Sequence, residues 1–241
     1  MRHSRTLPPL VLIAALLAAC ATAPVDVGFL PTLPAGTDPT VDHPGCLVAA
    51  VAFDDDVTIP AGADCTFTNV TVAGNLAVAS GASLALAGGR VDGNLLVYAG
   101  AAVDLTGAAV GGNLQAERSN DVLVRAGSGI DGDLQVARGQ GRVRLSDGTV
   151  GGDVQVEGTV GPVAVVGATV DGNVQLKQNP GAVEVRDADV GGDVQLEANG
   201  GGVEVFDNVV DGNLQCSSNA PPIVGGGNLV GGNREGQCSG F

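Results

Sequence analysis

Aromatic side chains are almost missing from this sequence, with no tryptophan, one tyrosine and five phenylalanines in 241 residues. Any core must therefore be built from aliphatic layers, and a cleft lined with stacking rings has little to be made from. Histidine is confined to His3 and His43, so the stretch from residue 46 to 241 contains none. That removes Ser-His-Asp and Cys-His catalysis and His-ligated zinc from the possible chemistries. Lysine occurs once, as Lys177, and no Gly-rich phosphate loop precedes it. Positive charge is scarce as well: 11 Lys and Arg face 26 Asp and Glu, for a net charge of −15. Such a chain repels phosphate backbones and anionic head groups, so no nucleic acid partner is expected. What the sequence does have is glycine, at 39 residues, and 44% hydrophobic residues. Glycine-rich and valine-rich composition of this kind predicts many short strands joined by tight turns, and it is too apolar for disorder.

At the N-terminus Arg2 and Arg5 precede an apolar run from Leu10 to Ala19. The run is shorter than the ~20 residues a bilayer-spanning helix needs, so residues 1–19 read as a signal peptide. Leu17-Ala18-Ala19-Cys20 resembles the lipobox of bacterial lipoproteins. The resemblance implies that Cys20 becomes the first mature residue and carries acyl chains, placing the protein on the extracytoplasmic side of a cell-envelope membrane. The alternative is ordinary cleavage after Ala21 or Ala23, with Cys20 lost. Parity favours the lipid, because five cysteines less Cys20 leave an even four, as an oxidising compartment favours. Residues 20–45 then form a tether, interrupted by Pro24, Pro31, Pro34, Pro39 and Pro44. At ~3.1 Å per residue an extended tether reaches up to roughly 75 Å.

From residue 46 to 241 the sequence repeats. A Val-x-Gly-Asn/Asp-Leu/Val unit begins at Val72, Val91, Val110, Ile130, Val150, Val170, Val190, Val210 and Val230. The spacing is the same for the first two steps and one longer for every step from Val110 onward. Within each unit apolar residues alternate, as in Leu76 and Val78 followed by Leu84 and Leu86, which is the period of a half-buried strand. A unit of this length cannot bury its own apolar face, but stacked units can, each strand pairing with its equivalent one coil away at ~4.8 Å. The expected fold is all-β: a single-stranded, right-handed parallel β-helix, or solenoid, of about ten three-faced coils. Pentapeptide, nonapeptide calcium-binding and leucine-rich schemes each fail on spacing or on the residues they require. Units such as Val150-Gly151-Gly152-Asp153-Val154 resemble the coils of bactofilin-type and related secreted or cytoplasmic bacterial β-helix proteins, over about residues 53 to 236. That resemblance implies the fold, and for bactofilins end-to-end polymerisation through open helix ends.

The cysteines fit the same register. Cys65 lies one short coil after Cys46, and Cys216 occupies the inward position of Leu196. Cys238 falls two positions beyond ideal stacking on Cys216. Disulfides Cys46–Cys65 and Cys216–Cys238 are therefore favoured over pairings that would cross the rod.

Candidate binding residues lie in outward rows. Gln115, Gln135, Gln155, Gln175, Gln195 and Gln215 share one offset, and their amides are expected to bond along the axis, or else to offer a flat surface to a glycan or another sheet. The turn row of Asn75, Asn94, Asn113, Asp133, Asp153, Asn173, Asp193, Asn213 and Asn233 is expected to bond local backbone. Beside it, Asp92, Asp131, Asp171 and Asp211 alternate with glycine, which spaces like charges; a calcium ion bridging Asp131, Asp133 and Asp153 is the less favoured reading. Arg118, Arg125, Arg138, Arg142 and Arg144 gather much of the positive charge within two coils, as salt-bridged surface or as a site for an anionic polymer.

Regular coils without long loops point to a non-catalytic rod with no cofactor and no metal. Its expected role is structural or adhesive, held to the membrane by the lipid on Cys20, monomeric, and facing the outside of the cell envelope. The alternative is a binding module for an envelope glycan or surface protein, acting through the Gln row or Arg118, Arg138, Arg142 and Arg144. A polymer-forming scaffold and a polysaccharide-active enzyme rank below both.

Overall fold

The computed structural model describes residues 45–241; the signal segment 1–19, Cys20 and the tether up to residue 44 lie outside them. The first strand begins at Gly45, one residue inside the expected tether. Among the described residues all 28 strands belong to a parallel β-solenoid of about ten turns, and no helix occurs.

Each full coil contributes to three strand stacks. The first face is a ten-stranded sheet running from Val57–Ile59 to Arg234–Gly236. The second runs from Gly45–Ala49 to Val224–Gly226, and the third from Ala52–Phe53 to Leu229–Val230. In two early coils, Asp64–Val72 and Ser83–Val91 pass through both the second and third faces as single strands. Alternation places every second side chain inside. Leu76, Leu95, Leu114, Leu134, Val154, Val174, Val194 and Leu214 form one such column, none more than 1% exposed. Each buried Val or Leu contributes about 1.5–3 kcal/mol, so the columns outweigh any single contact.

The change from shorter to longer coils is not simultaneous on the three faces. On the second face Val103 pairs with Val122 and Val122 with Val143, before the spacing settles at Val163. The first of these steps is one position short of the later coils and the next is one position long. The added residue first enters the corner around Gly127 and only one coil later the corner before Arg142. Which residues of Arg142–Ser146 face outward is fixed by this shift.

The repeated Gly-Asn/Asp pair has a specific cause. The Oδ1 of each Asn or Asp from Asn75 to Asn213 accepts the backbone N–H of its equivalent in the next coil, at 2.7–2.9 Å. The row therefore bonds between coils instead of locally. The glycine before it must be glycine because the side chain of the previous coil occupies the space a Cβ would need: a Cβ on Gly112 would lie 2.5 Å from Oδ1 of Asn94.

Two further polar columns run inside the rod. Asn179, Asn199 and Asn219 are at most 5% exposed. Asn179 donates to Asn199 at 3.0 Å, Asn199 to Asn219 at 2.9 Å, and Asn219 to Oε1 of Gln237 at 3.1 Å. Each amide also donates to a core-strand carbonyl, those of Val156, Leu176 and Leu196. A second pair, Asn208 and Asn228, repeats the arrangement at another corner. Buried amides are tolerated here because nearly all their hydrogen-bonding capacity is met.

Cys46 and Cys65 are bonded with Cα atoms 4.5 Å apart, and Cys216 and Cys238 with Cα atoms 5.4 Å apart. The excess length before Cys238 is taken up by a turn that seals the last coil. Cys238 is fully buried, Gln237 ends the asparagine column, and the Arg234 guanidinium donates to the Asn228 carbonyl at 2.9 Å.

Candidate functional site

The six glutamines Gln115 to Gln215 do share one column on the first face, each paired in register with the next. Their amides do not form one continuous ladder. Gln115 donates to Gln135 at 3.3 Å, but Gln135 and Gln155 turn to Asp133 and Asp153 in their own coils, and Gln215 turns to Glu235. The neighbouring carboxylates compete for the amide protons, and a charged acceptor outweighs a neutral one. Between Tyr98 and Gln155 this face is hollowed into a groove of ≈510 Å³, bordered by Gln115, Gln135, Glu117 and Arg138. Tyr98, 49% exposed, is its one aromatic wall.

The arginines fall into two groups. Arg118 and Arg138 occupy the same corner one coil apart, and both point at Glu117, with contacts of 3.6 and 2.5 Å. Their backbones are left-handed, φ 52° and 55°, yet the column continues through Gln178, Ala198 and Ser218 with the same geometry. The conformation thus belongs to the corner and marks no arginine-specific site. Arg125, Arg142 and Arg144 lie on the second face instead. Arg125 is held by Asp104 at 2.6 Å and Arg142 by Asp121 at 2.6 Å. The hydrogen bond from the Arg142 guanidinium keeps the Asp121 carboxyl below its ordinary range, despite partial desolvation. Arg144 stands between Leu123 and Ala164 and forms no ion pair among the described residues.

Below Arg142 and Arg144 the second face holds a concave, mainly apolar strip of ≈440 Å³, floored by Pro162, Ala164, Ala182 and Gly202 and ending at Pro222 and Val224. Sequence reading did not single it out. Its signal was the drop in side-chain size at one offset, from Arg142 to Pro162, Ala182 and Gly202.

On the carboxylate edge, Arg90 reaches Asp92 at 2.6 Å and Asp131 at 3.2 Å, linking two coils that carry aspartate. The intervening Gly111 could not carry a side chain, since a Cβ would lie 2.5 Å from the Asp92 carbonyl, so the alternation is steric as well as electrostatic. Among the described residues no group of three His, Cys, Asp or Glu is arranged to hold a metal ion.

Comparison with known proteins finds no matching family model, curated protein or solved structure.

Proposed function

We propose that this chain is a non-catalytic, lipid-anchored rod of the cell envelope, standing on the extracytoplasmic side and acting as a structural or adhesive element. The observation that carries this reading is coil uniformity: the inter-coil Asn/Asp column continues without a loop insertion from Asn75 to Asn233. A surface so regular suits spacing and lateral contact better than chemistry, which needs an enclosed, water-excluding site. Disulfide-bonded pairs near both ends suit an oxidising compartment, in keeping with export. The membrane attachment is assigned to Cys20.

The test replaces Cys20 with Ser in the full chain and follows membrane fractionation and the mass of the mature N-terminus. Release of the variant, with diacylglycerol and acyl mass on Cys20 of the parent, supports the anchored rod. Unchanged membrane association with no acyl mass on residue 20 overturns it.

A second reading, binding of an envelope glycan or surface protein, is favoured by the groove beside Tyr98 and the half-exposed glutamines. Glycan-array binding by the parent that disappears in Tyr98→Ala or Gln135→Ala would move the function to that face.

A further inference from the structure

The second face is graded along the rod. At one level it presents Arg142 and Arg144, both with exposed side chains. One coil further the same columns hold Pro162, which is exposed, Ala164, only 9% exposed on the floor of the strip, and the partly buried Val166, with no charge at all. The next two coils place Glu184 and Glu204 in the column of Arg144 and Ala164, above the small residues Ala182 and Gly202 in the column of Arg142. A cationic ridge, an apolar step and an acid-edged hollow thus follow one another on the same two columns.

We propose that this face docks a second copy of the chain, antiparallel, about a two-fold axis that runs along the strand direction and passes close to Ala164. Such an axis keeps each column opposite itself and reverses the order of coils. The exposed Pro162 then meets Pro162, with Ala164 beneath the seam on each side. Arg144 of one copy faces Glu184 of the other, twice by symmetry, while each Arg142, held by Asp121 of its own chain, lies opposite the hollow over Ala182. Opposite charges are brought together by one operation, which is what an isologous interface requires. A parallel pair, with the axis along the rod, would instead set the basic ridge against the basic ridge.

Arg144 is the side chain this arrangement explains. It is exposed and without an ion-pair partner among the described residues, whereas Arg90, Arg125, Arg138, Arg142 and Arg186 are each matched within their own chain. Glu184 and Glu204 share one cation, Arg186, at 3.1 and 3.4 Å. They retain acceptor capacity for a second. Size sets the strength. A patch about five residues wide at ~3.3 Å and about seven coils long at ~4.8 Å covers roughly 550 Å² on each copy, or about 1,100 Å² in all. That is at the lower limit of a specific interface, so the pair is weak and reversible in dilute solution.

The experiment is site-specific cross-linking of the full chain as exported by its host. Pro162→Cys puts an exposed thiol beside the axis and should give a symmetric disulfide dimer in most molecules, with both native disulfides intact by peptide mapping. Gln175→Cys, outward on the first face, should stay at least tenfold less cross-linked. Adding Arg144→Glu to Pro162→Cys should cut the dimer about tenfold, and adding Glu184→Arg to that pair should restore it. Sedimentation of the chain without added cysteine should show a mass that rises from one copy towards two with concentration. Cross-linking at Pro162 no greater than at Gln175, indifference to Arg144→Glu, failure of Glu184→Arg to restore, or cross-linking of Pro162→Cys to a different protein would each overturn the proposal.

Discussion

Individual side chains in this protein are selected less by their neighbours in sequence than by the residue one coil above and below. Asn199 accepts from the backbone N–H and the amide of Asn179 and donates to Asn219 and to the Leu176 carbonyl. Replacing it with Ala strands several buried groups at once, each costing ~1–3 kcal/mol. Asn199→Ala should therefore lose about 3 kcal/mol or more, read as a lower urea midpoint at unchanged slope. The same column offers a gain. Thr159 sits directly above Asn179, fully buried, and its hydroxyl has no hydrogen-bond partner. Its backbone N–H already donates to Oδ1 of Asn179 at 2.9 Å. Asparagine at 159 would extend the ladder by one rung, donating to Asn179 and to the strand before it. Thr159→Asn should raise stability by about 1 kcal/mol, and a loss instead would mean that the column ends at Asn179 for lack of room.

Among the elements, the unit that matters is the coil, because every strand bonds to its equivalents and hardly at all to its sequence neighbours. Removing residues 174–193 deletes one whole coil and joins Asn173 to Val194, preserving the inward columns and the Asn/Asp row. The shortened chain should fold cooperatively with both disulfides formed. Removing residues 174–183 takes half a coil, brings unlike faces into register and should leave an unfolded or aggregating chain; circular dichroism and disulfide mapping distinguish the two. Much of this was legible in the sequence. Period-2 alternation and the recurrence of Val-x-Gly-Asn/Asp are direct consequences of pleat and stacking, so coil number and inward positions follow from them. Asn179, Asn199 and Asn219 were legible only as a recurrence one coil apart, since locally Asn179-Pro180 and Asn199-Gly200 read as ordinary turns. The graded second face was hidden for another reason. The short and then long steps on either side of Val122 displace the outward set there, and the offset of Arg144 cannot be carried over from earlier coils.

For the whole molecule, the two ends of the rod differ in how readily they could pair with another strand. About ten coils at ~4.8 Å make a body of roughly 50 Å, ended by two very different surfaces. In the first coil Val51 and Phe53 are only partly buried against the core, and Leu47 is 73% exposed. The last coil is closed. Arg234 stands where earlier coils place Leu or Val, and its guanidinium folds over to the Asn228 carbonyl. Gln237 terminates the asparagine column, and the following turn brings Cys238 and Phe241 over the core. A second rod could add here only by displacing a charge and a disulfide-bound turn, which costs more than one strand pairing returns. Truncation after Asn233, with Cys216→Val to avoid a free thiol, removes the cover and leaves Leu214 and its neighbours at an open edge. The truncated chain should associate end to end, visible as fibres or extended assemblies by electron microscopy, while the full chain under the same conditions shows only single rods and side-by-side pairs. Fibres from the full, oxidised chain, or a truncated chain as dispersed as its parent, would overturn the expectation that the closed last coil blocks end-on association.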